Sequence, residues 1–529
     1  MTAPDTKTIT GVRENNAEFQ MAKGRKRLAR VITFGCKMND NDSEKIMGLL
    51  VEMGYEIEPS PVSGKFGNPA PLGALGVLYA DDQPAAIRLP DLVILNTCCV
   101  RENAEQRFFG ILGSLRRFKS GDPSRVLAVC GCMMQEDSVV QTISDKYGYV
   151  DFIFGTKSIS GLPALLADVY RKQTEKYSTE DLRRNAEKDR RKAEKDRRKK
   201  TIPVMNALDG ADLEDRLPVY RKAPPCALVS IMNGCDNFCS YCIVPFVRGR
   251  EQSRTPDSVI DEAERLVSDG YREITLLGQN VNSYGKDLRP GSVDFAALLE
   301  RLSEIDGLWR VRFMTSHPKD LSDRLIGAIR DLNAVCPQLH LPVQSGSSAV
   351  LKKMNRGYNR ENYINLVRKI KNAVPDLTLT TDIIVGFPGE SDADFDATLS
   401  LVREADFDLA YTFLYSPRKG TAAASYCGQV PDAIAKKRFE RLLDIQNKIS
   451  LEKNRSTIGS VYDILCEGTS KTNAERFTGR TPGGKVVNFR FDAAAGARGN
   501  NPDGWIGKII RVRVEQARTW SLDGVAVSE

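Results

Sequence analysis

The chain has 529 residues, 41% hydrophobic and 27% charged; at roughly 150 residues per domain this suggests three or four globular domains and excludes collagen, disorder throughout and a disulfide scaffold. The 76 Lys and Arg outnumber the 69 Asp and Glu by a formal +7, and residues 183–200 (RRNAEKDRRKAEKDRRKK), with eleven basic and four acidic side chains, carry that same +7, so polyanion binding elsewhere requires a local patch. No apolar run reaches the ~18 residues of a membrane helix, the opening MTAPDTKTITGVRENNAEF lacks a signal-peptide core, and twelve cysteines with only two histidines point to the reducing cytoplasm and to metal or redox sites built from thiolate.

In chain order, residues 1–27 read as a disordered, solvated tail. LARVITF (28–34), DLVILNT (91–97), VLAVC (126–130) and VDFIFG (150–155) are predicted strands. Helical patterns at 41–54 and 102–119 lie between them, as in a parallel α/β sheet. Residues 59–90, rich in Gly, Pro and Ala, read as an insert, and the first domain as 28–170. Residues 171–211 read as a charged linker in which AEKDRRK occurs twice, at 186–192 and 193–199. Apolar a and d positions are missing, which excludes a coiled coil and leaves a solvated linker or an RNA-contacting arm.

From 226 to about 450, six strand candidates alternate with helices: ALVSIM (227–232), EITLLG (273–278), RVRFMTS (310–316), QLHLPV (338–343), LTTDIIVG (379–386) and LAYTFLYS (409–416). Six β/α units in a domain at 212–454 are too few for a closed eightfold barrel and predict an open, partial one. Residues 455–526 turn to short strands with Gly-rich turns, a small all-β barrel interrupted by a loop at 492–504.

Two cysteine sets carry the chemistry. SIMNGCDNFCSYCIVPFVRGRE (230–251) holds Cys235, Cys239 and Cys242 in a C-x3-C-x2-C spacing. Three thiolates on one loop can hold three irons of a [4Fe–4S] cubane and leave the fourth open; a structural zinc site completed from afar is the bland alternative. The loop follows the first barrel strand, at the end where barrel catalysis occurs. FGCKMNDNDSE (34–44), NTCCVRENAEQR (96–107) and CGCMMQED (130–137) each place cysteine directly after a predicted strand. Carboxyl ends of parallel strands converge on one crevice, so Cys36, one of Cys98 and Cys99, and one of Cys130 and Cys132 can meet, as a second cluster or as buried free thiols. Cys226, Cys336, Cys427 and Cys466 read as buried free cysteines.

The triplet resembles that of the radical S-adenosylmethionine (SAM) superfamily, and LLGQN (276–280), HLPVQSGS (340–347) and DIIVGFPGE (382–390) fit the likeness, their glycines allowing close backbone approach to adenine or ribose. With the three-Cys N-terminal domain, the whole resembles the methylthiotransferase family: a flavodoxin-like domain, an open (β/α)6 barrel and a TRAM barrel. The motifs G-C-x-M-N, N-T-C-x-V-R-E and G-C-M match Cys36, Cys98 and Cys132, making Cys99 and Cys130 bystanders. NTCCVRENAEQ, EGTSK (467–471) and GRTPGGKVVNF (479–489) resemble the branch that makes 2-methylthio-N6-dimethylallyladenosine in tRNA.

The resemblance implies two [4Fe–4S] clusters, sulfur delivery at Cys36, Cys98 and Cys132, and SAM at Cys235, Cys239 and Cys242, serving as methyl donor and as source of a 5′-deoxyadenosyl radical. It implies a tRNA anticodon loop as substrate, a flavodoxin- or ferredoxin-type electron donor, and a monomer. Gln279, Gln344 and Asp382, at strand ends, are expected to contact SAM. Arg476, Arg480, Lys485 and Arg490, alternating with Phe477 and Phe489, are expected to contact RNA through phosphate pairing and base stacking, against the alternative of a solvated face over a phenylalanine core. His340 reads as a satisfied core histidine, and His317 is left without a role. Threonylcarbamoyl-modified tRNA or a ribosomal protein is the alternative substrate; an RNA-binding protein with structural metal is the non-enzymatic alternative.

Overall fold

The computed structural model describes residues 6–58, 88–99, 102–177, 202–205, 217–221, 223–289, 293–470, 473–491 and 504–527. The charged repeat, most of the 59–90 insert and nearly all of the 492–504 loop lie outside the described residues. The chain divides into two compact units, one of Met1–Arg221 with Phe246–Gly249 and one of Lys222–Pro245 with Arg250–Glu529.

The first unit is a parallel six-stranded sheet: β1 (Leu28–Thr33), β2 (Glu56–Ile57), β3 (Leu92–Thr97), β4 (Val126–Gly131), β5 (Phe152–Phe154) and β6 (Val204–Met205) in the order β2-β1-β3-β4-β5-β6. Strands β3 and β4 are buried at every residue, as a parallel sheet covered on both faces requires.

Two expectations fail here. The tail read as solvated forms a helix, Thr6–Lys23. Its polar sequence hides a short contact: Ile9 and Val12 are buried, Asn16 donates to Met53 O at 2.7 Å, and Arg27 lies over the rings of Phe19 and Tyr170. The region read as a linker from 171 is also part of this unit at both ends. Helix Leu162–Tyr177 runs into it, β6 returns to pair with β5, and Leu217 joins the core while Tyr220 donates its N–H to Glu44 O. The second unit therefore starts near 222 rather than 212.

In the second unit, the six expected barrel strands form. They are β7 (Cys226–Ser230), β10 (Glu273–Leu277), β11 (Arg310–Phe313), β12 (Gln338–His340), β13 (Thr378–Val385) and β14 (Leu409–Leu414); β8 (Met232–Asn233) and β9 (Gln252–Ser253) make a small antiparallel ribbon after β7. They pair in parallel as β11-β10-β7 and β12-β13-β14, joined by a bridge from Val311 to Val335. Among the described residues β14 does not pair with β7, so the barrel stays open. The amphipathic helices between strands, such as Pro256–Ser268 with its Thr255 cap on Ser258 N, bury their apolar faces in one continuous core.

The C-terminal strands β15 (Val461–Ser470), β16 (Asn473–Arg480), β17 (Val486–Phe491), β18 (Ile509–Ala517) and β19 (Leu522–Ala526) close into a barrel in the order β15-β16-β17-β19-β18. Its β16–β17 turn docks on the starts of the large barrel's strands. Arg312 donates to Thr481 O at 2.8 Å and Pro482 O at 2.7 Å, and Arg310 to Arg480 O at 2.8 Å and Asp463 O at 2.6 Å. Arg312 is also ion-paired to buried Glu273 at 2.9 Å, and Lys485 to Asp408 at 3.1 Å. A Cβ on Gly484 would lie 2.3 Å from Gln338 Oε1, so the turn needs glycine to seat this closely.

Candidate functional site

Three adjacent strands, β1, β3 and β4, end together, and each delivers cysteine at or just past its carboxyl end. Cys36 follows β1, Cys98 and Cys99 follow β3, Cys130 lies in β4, and Cys132 opens the short turn Cys132–Gln135. Two glycines permit the convergence. Gly35 has φ +122° and a Cβ there would stand 2.2 Å from Cys98 Cβ; Gly131 has φ +109° and would meet Thr97 O at 2.1 Å. Two fully buried asparagines brace the floor. Asn39 Nδ2 donates to Asn96 Oδ1 (3.1 Å) and Thr97 O (3.0 Å), and Asn96 Nδ2 donates to Asn39 O and Ser43 Oγ, both at 2.9 Å.

The structure gathers four thiols here, one more than the motifs name. Cys36 Sγ donates to Asn39 Oδ1 at 3.2 Å; neighbouring Cys98 together with burial pushes the Cys36 thiol up, and neighbouring Cys132 and Cys98 together with burial push up that of Cys99. Cys99 therefore stands among the expected ligands and is no remote bystander. Cys130 turns into the hydrophobic core, where burial raises it. Among the described residues no three metal-binding side chains are drawn together tightly enough for a single ion; a cubane holds its sulfur ligands further apart. A buried, thiol-rich pocket, with the paired Arg248 and Asp42 at its side, fits an iron–sulfur cluster, whose binding would displace the protons.

In the second unit, Cys235, Cys239 and Cys242 occupy the loop after β7 and β8. The loop is pinned by Ser240, whose N–H donates to Met354 O (3.0 Å) and whose hydroxyl donates to Lys353 O (2.8 Å), and by Asn355 Nδ2 on Phe238 O (3.0 Å). Burial pushes Cys235 up to about 11 and Cys242 to about 12. Arg356, 5% exposed, donates to Cys239 Sγ (3.2 Å), Pro342 O (2.9 Å) and the Tyr358 hydroxyl (3.0 Å). This donor set fits a cluster held by three thiolates.

The barrel mouth beside this loop is lined with unanswered polar atoms. Gln279 Oε1, Asn280 Oδ1, both amide atoms of Asn282, Ser316 Oγ and His317 Nε2 are buried without a hydrogen-bond partner, the signature of groups that wait for a ligand. His317 Nδ1 accepts from Lys319 N at 3.3 Å. Burial, then Arg356, Lys319 and Lys286, push His317 down to about 2. The neutral ring thus carries its proton on Nε2 and offers a donor.

Of the expected SAM contacts, Gln279 presents a free oxygen. Gln344, at φ +71°, is buried and spends its backbone on Asp382 O and Ile384 N, both at 2.9 Å. Asp382 faces His340 Nε2 at 3.5 Å. The glycines expected to meet adenine or ribose are accounted for by protein packing: a Cβ on Gly346 would meet Thr398 Cα at 2.4 Å, on Gly278 Met232 Cγ at 2.5 Å, and on Gly386 Ala435 Cβ at 2.9 Å.

Comparison with known proteins now bears on this arrangement. Residues 229–402 match the family described as Radical SAM superfamily, 78–155 the one described as Uncharacterized protein family UPF0004, and 455–527 the TRAM domain. The tRNA-2-methylthio-N(6)-dimethylallyladenosine synthase of Acetivibrio thermocellus is 46% identical over 98% of this chain and 95% of its own length. The chain belongs to this family. The synthase of the same name from Thermoanaerobacter pseudethanolicus is 43% identical over 96% of this chain and 94% of its own. Among solved structures, the radical SAM methyltransferase TsrM of Kitasatospora setae aligns with TM-score 0.48 at 15% identity, covering 73% of this chain and 72% of that one.

In this synthase-family chain the small barrel departs from the expected RNA face. Phe477 and Phe489 stack on each other at 5.9 Å, Phe489 buried in the barrel core and Phe477 partly buried against it, an arrangement that favours the alternative of a phenylalanine core. Lys485 is taken up by Asp408 and by Asn454 at 3.0 Å, within the docking contact. Arg476 pairs with Asp523 (2.8 Å), Arg480 with Glu467 (2.8 Å) and Arg490 with Glu515 (3.0 Å). Exposed instead are Trp520, Arg511 and Arg513.

Sequence reading missed Arg248, Arg356, Asn39 and Asn96. The asparagines stand in the quoted motifs G-C-x-M-N and N-T-C, where their identity was visible and their bracing role was not. Cys427, read as buried, is exposed.

Proposed function

We infer that this chain transfers a methylthio group to C2 of N6-dimethylallyladenosine next to the anticodon in tRNA, with SAM as methyl donor and radical source and with two [4Fe–4S] clusters. The observation that carries the reading is the double thiol arrangement: Cys36, Cys98 and Cys132 at the ends of adjacent strands, and Cys235, Cys239 and Cys242 on a pinned loop at a barrel mouth. A single radical site needs only the second set; the first gives sulfur delivery a place of its own.

The C2–H bond of adenine is too weakly acidic for proton transfer to open it. When bound, SAM with the loop cluster supplies a carbon radical able to take that hydrogen. The residues do the rest. Cys235, Cys239 and Cys242 hold the cluster, with Arg356 orienting Cys239. Gln279, Gln344 and Asp382 contact SAM; Asn280, Asn282 and the Nε2–H of His317 answer its remaining polar atoms or those of the base. Cys36, Cys98 and Cys132 hold the sulfur-carrying cluster. On the small barrel, Arg476, Arg480 and Arg490 release their carboxylates to reach phosphate, and Trp520, Arg511 and Arg513 add an exposed face for a single-stranded loop. A flavodoxin- or ferredoxin-type reductant serves a monomer in the cytoplasm. Among the described residues no helix is long and apolar enough to cross a membrane.

Mass spectrometry of tRNA nucleosides tests this reading. A deletion strain is expected to lose 2-methylthio-N6-dimethylallyladenosine and accumulate the unthiolated base, with restoration by the intact gene. Loss of a methylthiolated threonylcarbamoyl base instead, or of neither, would overturn it.

A further inference from the structure

We infer that Arg248 is a positioning residue of the N-terminal thiol site, fixing Cys132 and setting how readily a cluster held there accepts an electron. The inference rests on the two-cluster reading above. Arg248 belongs to the short segment Phe246–Gly249, which is part of the first unit although it follows Cys242 by only six residues in the chain. It is 3% exposed. Its Nε donates to Cys132 Sγ at 3.1 Å and its Nη2 to Asp42 Oδ2 at 2.7 Å. Asp42 lies in helix Lys37–Glu52, which begins directly after Cys36. One guanidinium thus ties the residue after β4 to the helix that follows β1.

Stability is a poor reason for this arrangement. A fully buried ion pair is seldom worth more than well-packed apolar side chains of the same volume. The fork of arginine, however, serves two acceptors in fixed directions at once, and here the second acceptor is an expected cluster ligand. Hydrogen bonds and charge beside the ligand sulfurs are among the main controls on the potential of an iron–sulfur centre. Asp42 holds the guanidinium in place and offsets part of its charge. Removing either partner breaks the same ion pair, yet the two changes leave opposite charge beside Cys132. A structural brace and an electrostatic control therefore predict different results.

The experiment uses the full chain carrying Cys235→Ala, Cys239→Ala and Cys242→Ala, reconstituted anaerobically, so that only the N-terminal site binds iron. Iron content and an EPR-monitored redox titration are then compared for this background, for added Arg248→Met and for added Asp42→Asn. We expect about four irons in each, a shift to more negative potential for Arg248→Met and to more positive potential for Asp42→Asn. Potentials equal to the background, shifts of one sign in both, or loss of iron from both would overturn the role of Arg248. If Arg248→Met alone loses iron, the shift or constancy of Asp42→Asn decides. A background that binds no iron would instead overturn the two-cluster reading itself.

Discussion

Under the proposed reading, single residues divide the chemistry between the two thiol sets, and each division has a test. Cys98 stands among the thiols after β1, β3 and β4, and Cys239 on the loop at the barrel mouth. Cys98→Ala is expected to cleave SAM to 5′-deoxyadenosine yet yield no methylthio nucleoside, whereas Cys239→Ala is expected to lose both products. Chromatography of nucleosides from each variant checks this, and near wild-type methylthiolation by Cys98→Ala would refute it. Gly35→Ala is expected to strip iron from the N-terminal site, because the added Cβ falls 2.2 Å from that of Cys98. Gly110→Ala, with nothing within 4 Å of the new carbon, is a control expected to gain about 0.5–1 kcal/mol in urea unfolding. His317 gives a pH prediction. Burial lowers its pKa to about 2, so the ring stays neutral wherever the protein is folded. Its stabilising contribution is complete above the unfolded value near 6.5 and falls as acid protonates the unfolded chain, by about 2 kcal/mol at pH 5. With only two histidines in the chain, a His340→Gln variant leaves one ring signal in NMR, expected to hold constant from pH 8 to pH 5. An inflection near 6.5 would contradict the burial argument.

At the scale of elements, legibility followed the physics of burial. Strands β1, β3 and β4 are rich in apolar residues and were plain in the sequence, as were the six barrel strands. Helix Thr6–Lys23 was not, because it is mostly polar and buries only Ile9, Val12 and Asn16. A two-residue strand such as β6 has no periodicity to read. The GRTPGGK turn shows a different limit. Its basic and glycine residues resembled a nucleic-acid surface, but Lys485, Gly484 and the backbone carbonyls of Arg480 and Pro482 are docking chemistry, seated on Asp408, Gln338, Arg310 and Arg312. Arg312→Met would leave Glu273 buried without its close partner at 2.9 Å, a loss of about 3–5 kcal/mol. Limited proteolysis is expected to cut this variant between the large and small barrels, near Ser460, where the wild type resists.

For the whole molecule, the cysteine arithmetic was the strongest sequence signal, since the spacing of ligands survives any uncertainty about element boundaries. What it could not show was which neighbouring thiol turns inward: Cys99 joins Cys98 and Cys132, while Cys130 enters the core. Domain limits were legible only where composition changes, so the place of 202–205 and 217–221 in the first unit was missed. The expected iron content of the reconstituted full chain is about eight per molecule, falling to about four when Cys235, Cys239 and Cys242 are all alanine. A value near four before mutation would leave only one cluster site.

The seat of the small barrel under the large one imposes a constraint on any RNA it holds. The GRTPGGK turn meets β11, β12 and β13 near their first residues, whereas the cysteine loop and the unanswered polar atoms of Gln279, Asn282 and His317 lie past the opposite ends. Under the proposed reading, grip and reaction would be separated by the length of the strands, about 3.3 Å per residue. Nucleic acid held by the small barrel has to travel up the outside before it can present a base at the mouth. If the small barrel grips the loop as proposed, the fold would act as a measuring stick, selecting by the distance between the gripped segment and the reacting base and passing over a modified adenosine that sits at the wrong height.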